Sequence, residues 1–305
     1  MSILIDGSTR AIVQGITGAQ ARFDTEWCLH YGTKIVAGVT PGRGGELVHD
    51  VPVYDSVLRA VDEHDADATV VYVSAPRVRS AVLESIAAGI RLIVVTAEYV
   101  PQHDASYIVA AARHAGVRLV GCNTNGVISP GRCKLGGVGG MYPAEIYGAG
   151  RVGVCSRSGG MTAEIGLALK AAGFGISTSV AMGGDSITGL GMGDYIRLFE
   201  DDPETDAVVI FGEPGTNNEQ GVAKLVRDGV VRKPVVALIA GFFQENYPPG
   251  QSFGHAAAMV TNDSTSASAK RKLLEAAGVR VARSLEEIPG LLPTLPAAAG
   301  TANIA

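Results

Sequence analysis

Short apolar runs alternate with helical patterns along almost the whole chain, and that alternation leaves few architectures open. In the first half the runs AIVQGI, KIVAGV, ATVVYVSAP, RLIVVTAEY and VRLVGCN are separated by helical patterns at 19–31, 55–63, 77–88 and 104–115. Gly89 and Gly116 close two of these patterns, where a helix C-terminus favours glycine. In the second half RVGVCS, GISTSVAMGG, DAVVIFGE, KPVVALIAG and GVRVAR alternate with patterns at 161–172, 193–201, 217–228, 266–277 and 284–293. Strands that are apolar throughout must be covered on both faces. Each half therefore predicts an α/β unit around a mostly parallel sheet. The stretch between them is rich in Gly and Pro and has little periodicity, so it reads as a connection. The expected organisation is a first domain over 1–125, a connection over 126–150, a second domain over 151–295 and a fraying small-residue tail over 296–305.

Composition removes several classes of function. With 305 residues, 47% hydrophobic and 18% charged, the chain suits two packed domains rather than a disordered segment. A net charge of -5 offers no basic footprint for nucleic acid. No apolar run reaches the ~18 residues of a spanning helix, and no basic flank precedes an apolar leader. A cytoplasmic protein without a membrane segment is expected. Cys28, Cys122, Cys133 and Cys155 show no CxxC spacing, and no Cys/His cluster suggests a metal site, so reduced thiols are expected.

Ligands of open parallel sheets gather outside the C-terminal strand ends, beside helix N-termini. The first such place is QGITGAQA, where Gly15 and Gly18 permit a tight turn and helix amides could hold a phosphate. A short structural turn explains it equally well. The second strand runs into VTPGRGG, which offers Arg43 among glycines and no acidic residue for a bare ribose. That favours a phosphorylated ribose, as in NADP or coenzyme A, over NAD. The third strand end, TAEYVP, brings Glu98 to the same depth, as a ligand contact or as a loop hydrogen bond.

In the second half, strand RVGVCS leads through Ser156, Arg157, Ser158, Gly159 and Gly160 into a helix. Free amides, hydroxyls and a helix dipole meet there, as an oxyanion or phosphate cradle requires. Capping by Ser156 or Ser158 without a ligand is the alternative. The stretch SRSGGMTAEIG contains neither GxxxxGK[ST] nor GxSxG. Glu213 follows the apolar run AVVIF, where a carboxylate can orient an imidazole. His255 stands in SFGHAAAMV, after a glycine and among small residues, as a nucleophile or general base. His30, His49, His64, His103 and His114 fall in helices or polar loops and read as solvated.

GITGAQ, VTPGRGG, GVISPGRCKLG, SRSGG, GGD, GE and GHA occur in the order and approximate spacing of the α subunit of succinyl-CoA synthetase, and the chain resembles that family from its first strand to GVRVARSLEEI. The resemblance implies a Rossmann-like CoA-binding domain followed by a flavodoxin-like ligase domain. It implies that His255 is phosphorylated and that Glu213 contacts the phosphohistidine. It assigns CoA contacts to Thr17, Gly18, Ala19 and Gln20, to Arg43, and to Thr96, Ala97 and Glu98. It also implies that ATP or GTP, with Mg, binds an ATP-grasp β subunit, in a heterodimer or heterotetramer. The substrate would be a small carboxylic acid. Ala163 stands where the succinate enzyme has a tyrosine near that acid, and SRSGGM is similar to ATP-citrate lyases and citryl-CoA synthetases, which suits a larger acid. An NADP-binding oxidoreductase and a non-catalytic CoA-binding relative are the competing readings.

Overall fold

The computed structural model describes residues 2–251, 253–255, 257–260 and 262–295; the expected tail over 296–305 lies outside them. Two seven-stranded sheets carry the fold. The first contains β1 (Arg10–Gln14), β2 (Lys34–Val39), β3 (Leu47–Val48), β4 (Val51–Tyr54), β5 (Ala68–Val71), β6 (Leu92–Val95) and β7 (Arg118–Val120), in the order β3-β4-β2-β1-β5-β6-β7. Its helices are α1 (Ala19–His30), α2 (Val57–Glu63), α3 (Val78–Ala87) and α4 (Gln102–His114). Only β3 runs antiparallel, against β4. The six parallel strands follow the Rossmann order, which reverses between β1 and β5.

The second sheet contains β8 (Gly126–Ser129), β9 (Cys133–Leu135), β10 (Ala149–Ser156), β11 (Ile176–Ala181), β12 (Ala207–Gly212), β13 (Val235–Ile239) and β14 (Arg280–Ala282). Their order is β14-β13-β12-β10-β11-β8-β9. Its helices are α5 (Pro143–Ile146), α6 (Gly159–Ala171), α7 (Met192–Asp201), α8 (Asn218–Arg227), α9 (Ala267–Ala276) and α10 (Ile288–Leu291). The five parallel strands take the flavodoxin-like order, with its reversal between β10 and β12. The strands β5, β6, β11, β12 and β13 are buried at every residue, as strands covered on both faces must be, including the polar Thr69 of β5 and Ser177, Thr178 and Ser179 of β11.

Three features depart from the sequence expectation. The segment 126–150, expected only to connect, supplies β8 and β9, which extend the second sheet antiparallel from β11. Strands of four and three residues are too short to show a period. The hairpin β3–β4 was also unforeseen: its turn residues His49 and Asp50 both take positive φ, at 50° and 62°, without the Asn-Gly or Asp-Gly signal such turns usually carry. The pattern over 284–293 forms helix only at Ile288–Leu291, where Pro289 and Gly290 limit propagation.

One continuous apolar core runs through both domains, including Val13, Ala21 and Val94 of the first and Tyr195, Phe199 and Ile210 of the second, with Cys28, Val120, Val127 and Leu135 also in it. Each sheet packs its other face into a core of its own. The two domains therefore meet through buried side chains. None of the described helices is long and apolar enough to cross a membrane.

Candidate phosphohistidine and CoA sites

The strand-order reversal of the second sheet opens at the ends of β10 and β12, and the residues singled out in SRSGG and GEPG sit there. Glu213 directly follows β12. Its Oε2 lies 2.9 Å from Nδ1 of His255, with side-chain exposures of 13% and 32%. The hydrogen bond to Glu213 raises the imidazole pKa above 6.5. Burial and the Arg157 charge oppose it, while the charges of Glu213 and Asp185 reinforce it. Two glycines shape this seat. A Cβ on Gly184 would lie 2.9 Å from Cδ2 and 3.0 Å from Cγ of His255, so the ring rests against bare backbone. Gly215 has φ 86°, and a Cβ there would fall 1.9 Å from the carbonyl oxygen of Ala257. The turn after Glu213 can thus press against the segment that follows His255.

Helix α6 begins at this reversal. Ser158 is its N-cap but makes no side-chain cap hydrogen bond. The Ser156 hydroxyl donates to the Ser158 carbonyl at 2.7 Å and accepts from the Ser158 amide at 3.1 Å, so it closes the loop rather than the helix. The helix amides at Gly159 and Gly160 are therefore not met by a capping side chain, which favours the anion cradle over simple capping. Arg157 is 2% exposed. Its Nη2 donates to the carbonyls of Gly184 and Asp185, each at 3.2 Å, while Nη1 is buried with no hydrogen-bond partner among the described residues. Burial lowers the guanidinium pKa, and Glu213, Glu219 and Asp185 counter this. Arg157 thus holds the Gly184–Asp185 backbone under His255 as well as adding charge. A cleft of about 250 Å³ containing His255 and Glu213 is walled by Phe243, Phe253 and Ala258. Ala163 is half-buried on α6 and does not line that cleft.

Asn123, Asp185, Glu219 and Lys270 were not given roles from the sequence. Asn123 follows β7 and donates from Nδ2 to Asp185 at 3.0 Å; its carbonyl accepts from the Gly184 amide at 3.1 Å. The first domain thereby helps to build the histidine seat. Among the other histidines, His64 bonds Tyr54 at 2.9 Å and His49 bonds the Arg22 carbonyl at 3.1 Å, whereas His30, His103 and His114 are exposed.

At the first sheet's reversal, Gly18 caps α1 without any side-chain hydrogen bond, and Gly18, Ala19 and Gln20 are exposed. Thr17 bonds Thr40 at 3.2 Å and so ties this turn to the loop after β2. In that loop Arg43 is exposed and makes a two-point contact with Glu46, whose Oε2 accepts from Nη2 at 2.7 Å. The loop is thus less purely basic than VTPGRGG suggests. Asp55 accepts from the amides of Gly42 and Gly44 and fixes its shape. Thr96 donates to the Val71 carbonyl at 2.9 Å, Ala97 accepts from the Asn123 amide at 2.9 Å, and Glu98 is exposed. Beyond them a space of about 230 Å³ separates Tyr99–Ala105 from Asp185–Ile187 of the second domain. An uncapped helix terminus, an exposed arginine and an interdomain slot fit a long ligand with phosphates at one end.

Fold and site together define a two-domain chain with a Rossmann-like unit ahead of a flavodoxin-like unit that carries a histidine–glutamate pair. Residues 6–99 match the CoA binding domain model, and residues 149–295 match the succinyl-CoA ligase like flavodoxin domain. The chain is 46% identical to succinate–CoA ligase [ADP-forming] subunit alpha 2 of Archaeoglobus fulgidus, over 96% of this chain and 99% of that one. It is 39% identical to the ADP-forming sulfoacetate-CoA ligase subunit SqwL of an Acholeplasma species, over 97% and 98%. Methanosaeta concilii ATP citrate lyase, solved with (3S)-citryl-CoA, superposes with a TM-score of 0.87 at 27% identity. That match covers 94% of this chain, which spans about half (49%) of the lyase chain. The chain belongs to the family of succinate–CoA ligase α subunits.

Proposed function

We propose that the chain is the α subunit of an NDP-forming acid–CoA ligase in which His255 carries the phosphoryl group. The Glu213–His255 hydrogen bond at the second sheet's reversal is the observation that supports this most. With the Nδ1 proton held by Glu213, the lone pair for attack is on Nε2. Nε2 attacks the terminal phosphorus of a nucleoside triphosphate, the bridging P–O bond breaks, and its electron pair leaves with the diphosphate. Glu213 then faces a ring that has gained positive character, and the α6 terminus faces the phosphoryl oxygens. A carboxylate oxygen of the acid next attacks phosphorus; the N–P bond breaks and its electron pair returns to Nε2. Bound CoA supplies the thiol that accepts the acyl group as phosphate leaves.

The segments 17–20, Arg43 and 96–98 would hold CoA, the first two at its phosphates, with the interdomain slot leading toward His255. ATP or GTP with Mg would sit on an ATP-grasp β subunit, in a heterodimer or heterotetramer, and the acid would be a small di- or tricarboxylate. Ala163, in place of a tyrosine, would leave room for an acid larger than succinate. Four cysteines that are buried and unpaired suit a reducing cytoplasm. The test is mass spectrometry after incubation with the β subunit and a triphosphate. An acid-labile, alkali-stable label on His255 is expected, and His255→Asn should lose it while keeping CoA binding. A label on another residue, or turnover by His255→Asn, overturns the proposal.

A further inference from the structure

Behind Glu213 lies an ion pair that the phosphoryl-transfer scheme does not use. Lys270 of α9 and Glu219 of α8 have no exposed side-chain surface, and Lys270 Nζ meets Glu219 Oε2 at 2.5 Å. The same Nζ donates to the Glu213 carbonyl at 2.6 Å. The other Glu219 oxygen, Oε1, accepts from the Glu213 amide at 3.2 Å. Both main-chain polar groups of Glu213 therefore end on one buried pair. Space has been kept for it: a Cβ on Gly212 would lie 2.3 Å from Glu219 Oε1. Buried ion pairs usually stabilise a fold no better than well-packed apolar residues of the same volume. What this pair supplies and an apolar pair could not is a fixed donor and a fixed acceptor for Glu213.

We propose that Lys270 and Glu219 are positioning residues that clamp the main chain of Glu213, so that its carboxylate meets Nδ1 of His255 and sets the ring's orientation. The pair touches no reacting atom and acts through Glu213. The inference rests on the phosphohistidine reading for its catalytic consequence but not for its geometric one.

The experiment compares wild type with Lys270→Met/Glu219→Leu, which keeps an apolar volume, and with Glu219→Asp, which keeps the charge but withdraws the carboxylate from the Glu213 amide. Folding is checked by thermal melting and CoA titration of the full chain. The first readout is the His255 pKa by NMR of ring-labelled histidine. It should fall in both variants toward that of Glu213→Gln. The second is His255 labelling by phosphoramidate, a chemical phosphoryl donor that needs no partner. It should slow by up to about 10²-fold, as a ~1 Å misplacement can cost. Variants that fold, titrate and label like wild type overturn the clamp. A wild type that takes no label while the variants' His255 pKa still falls keeps the clamp and sinks the phosphohistidine reading instead. Should the double variant not fold, Glu219→Asp decides alone.

Discussion

Gly184 and His255 are in face-to-backbone contact, so close that a methyl group on Gly184 would lie 2.9 Å from the imidazole Cδ2. Gly184 is itself held from two sides. Its amide donates to the Asn123 carbonyl and its own carbonyl accepts from Arg157. The ring has little room to yield, since Glu213 holds its Nδ1. Gly184→Ala should therefore displace the ring from Glu213. The cost to stability should be about 1–3 kcal/mol, typical of an overpacked site. Phosphohistidine yield should fall further than the melting temperature suggests, while CoA affinity changes little. Isotopic labelling and calorimetry on the same sample check both.

With His255 as the proposed phosphoryl carrier, its raised pKa predicts a pH dependence for phosphorylation. Only the neutral ring attacks phosphorus, so the phosphorylation rate should decline on the acid side with an inflection above 6.5. Glu213→Gln should bring that inflection down, because the hydrogen bond to Glu213 is the largest cause of the shift. The stability effect has the opposite pH trend. A pKa raised on folding adds stability below the unfolded value, and this is lost as pH rises through the folded value. The melting-temperature gap between wild type and Glu213→Gln should accordingly be wider near about pH 6 than near about pH 9. A pH–rate series and paired melts test the two halves separately.

Much of this arrangement was legible before the structure. Ser156 and Glu213 stand at the end of an apolar run or just past one, where α/β folds collect ligands, whereas His255 lies well beyond β13 and is marked by its glycine and small-residue neighbours. The reversal between β10 and β12 that brings the first two together is topology, which no local pattern encodes. Asn123 and Asp185 were less visible, because their partners lie across the domain boundary. Lys270 was least visible of all. In α9 it reads as one more lysine on a charged helix, and only tertiary packing turns it inward onto Glu213. Arg43 shows the converse error. Its glycine neighbours suggested an isolated cation, and Glu46, three residues on, pairs with it across the turn into β3.

The four thiols should be inert in the folded protein. Burial pushes Cys28, Cys122 and Cys133 to about 12, and Cys155 higher still. Reactivity follows the thiolate, whose fraction at pH 8 is then about 10⁻⁴ or less. Ellman's reagent should find no reactive group in the native chain and four after denaturation. N-ethylmaleimide should likewise leave CoA binding unchanged. A single thiol reacting rapidly in the native state would point to local opening around that residue.

If the proposed CoA site includes Arg43, its contact with Glu46 makes binding at this loop a competition. Both side chains are substantially exposed, so the pair adds little to the fold and is weakened by salt. For Arg43 to meet a ligand phosphate it must leave Glu46, or share its guanidinium between the two. Arg43→Ala should weaken CoA by roughly tenfold to a hundredfold, the size of a charge-assisted hydrogen bond. Glu46→Gln removes the competitor and should leave affinity equal or higher. Dephospho-CoA, which lacks the ribose phosphate, separates the possible targets of the arginine. If Arg43 reads that phosphate, Arg43→Ala should weaken CoA but not dephospho-CoA. Equal losses for both ligands would place Arg43 at the diphosphate, and no loss for either would remove it from the site. Calorimetry of the two ligands against wild type, Arg43→Ala and Glu46→Gln gives all six affinities under one salt condition.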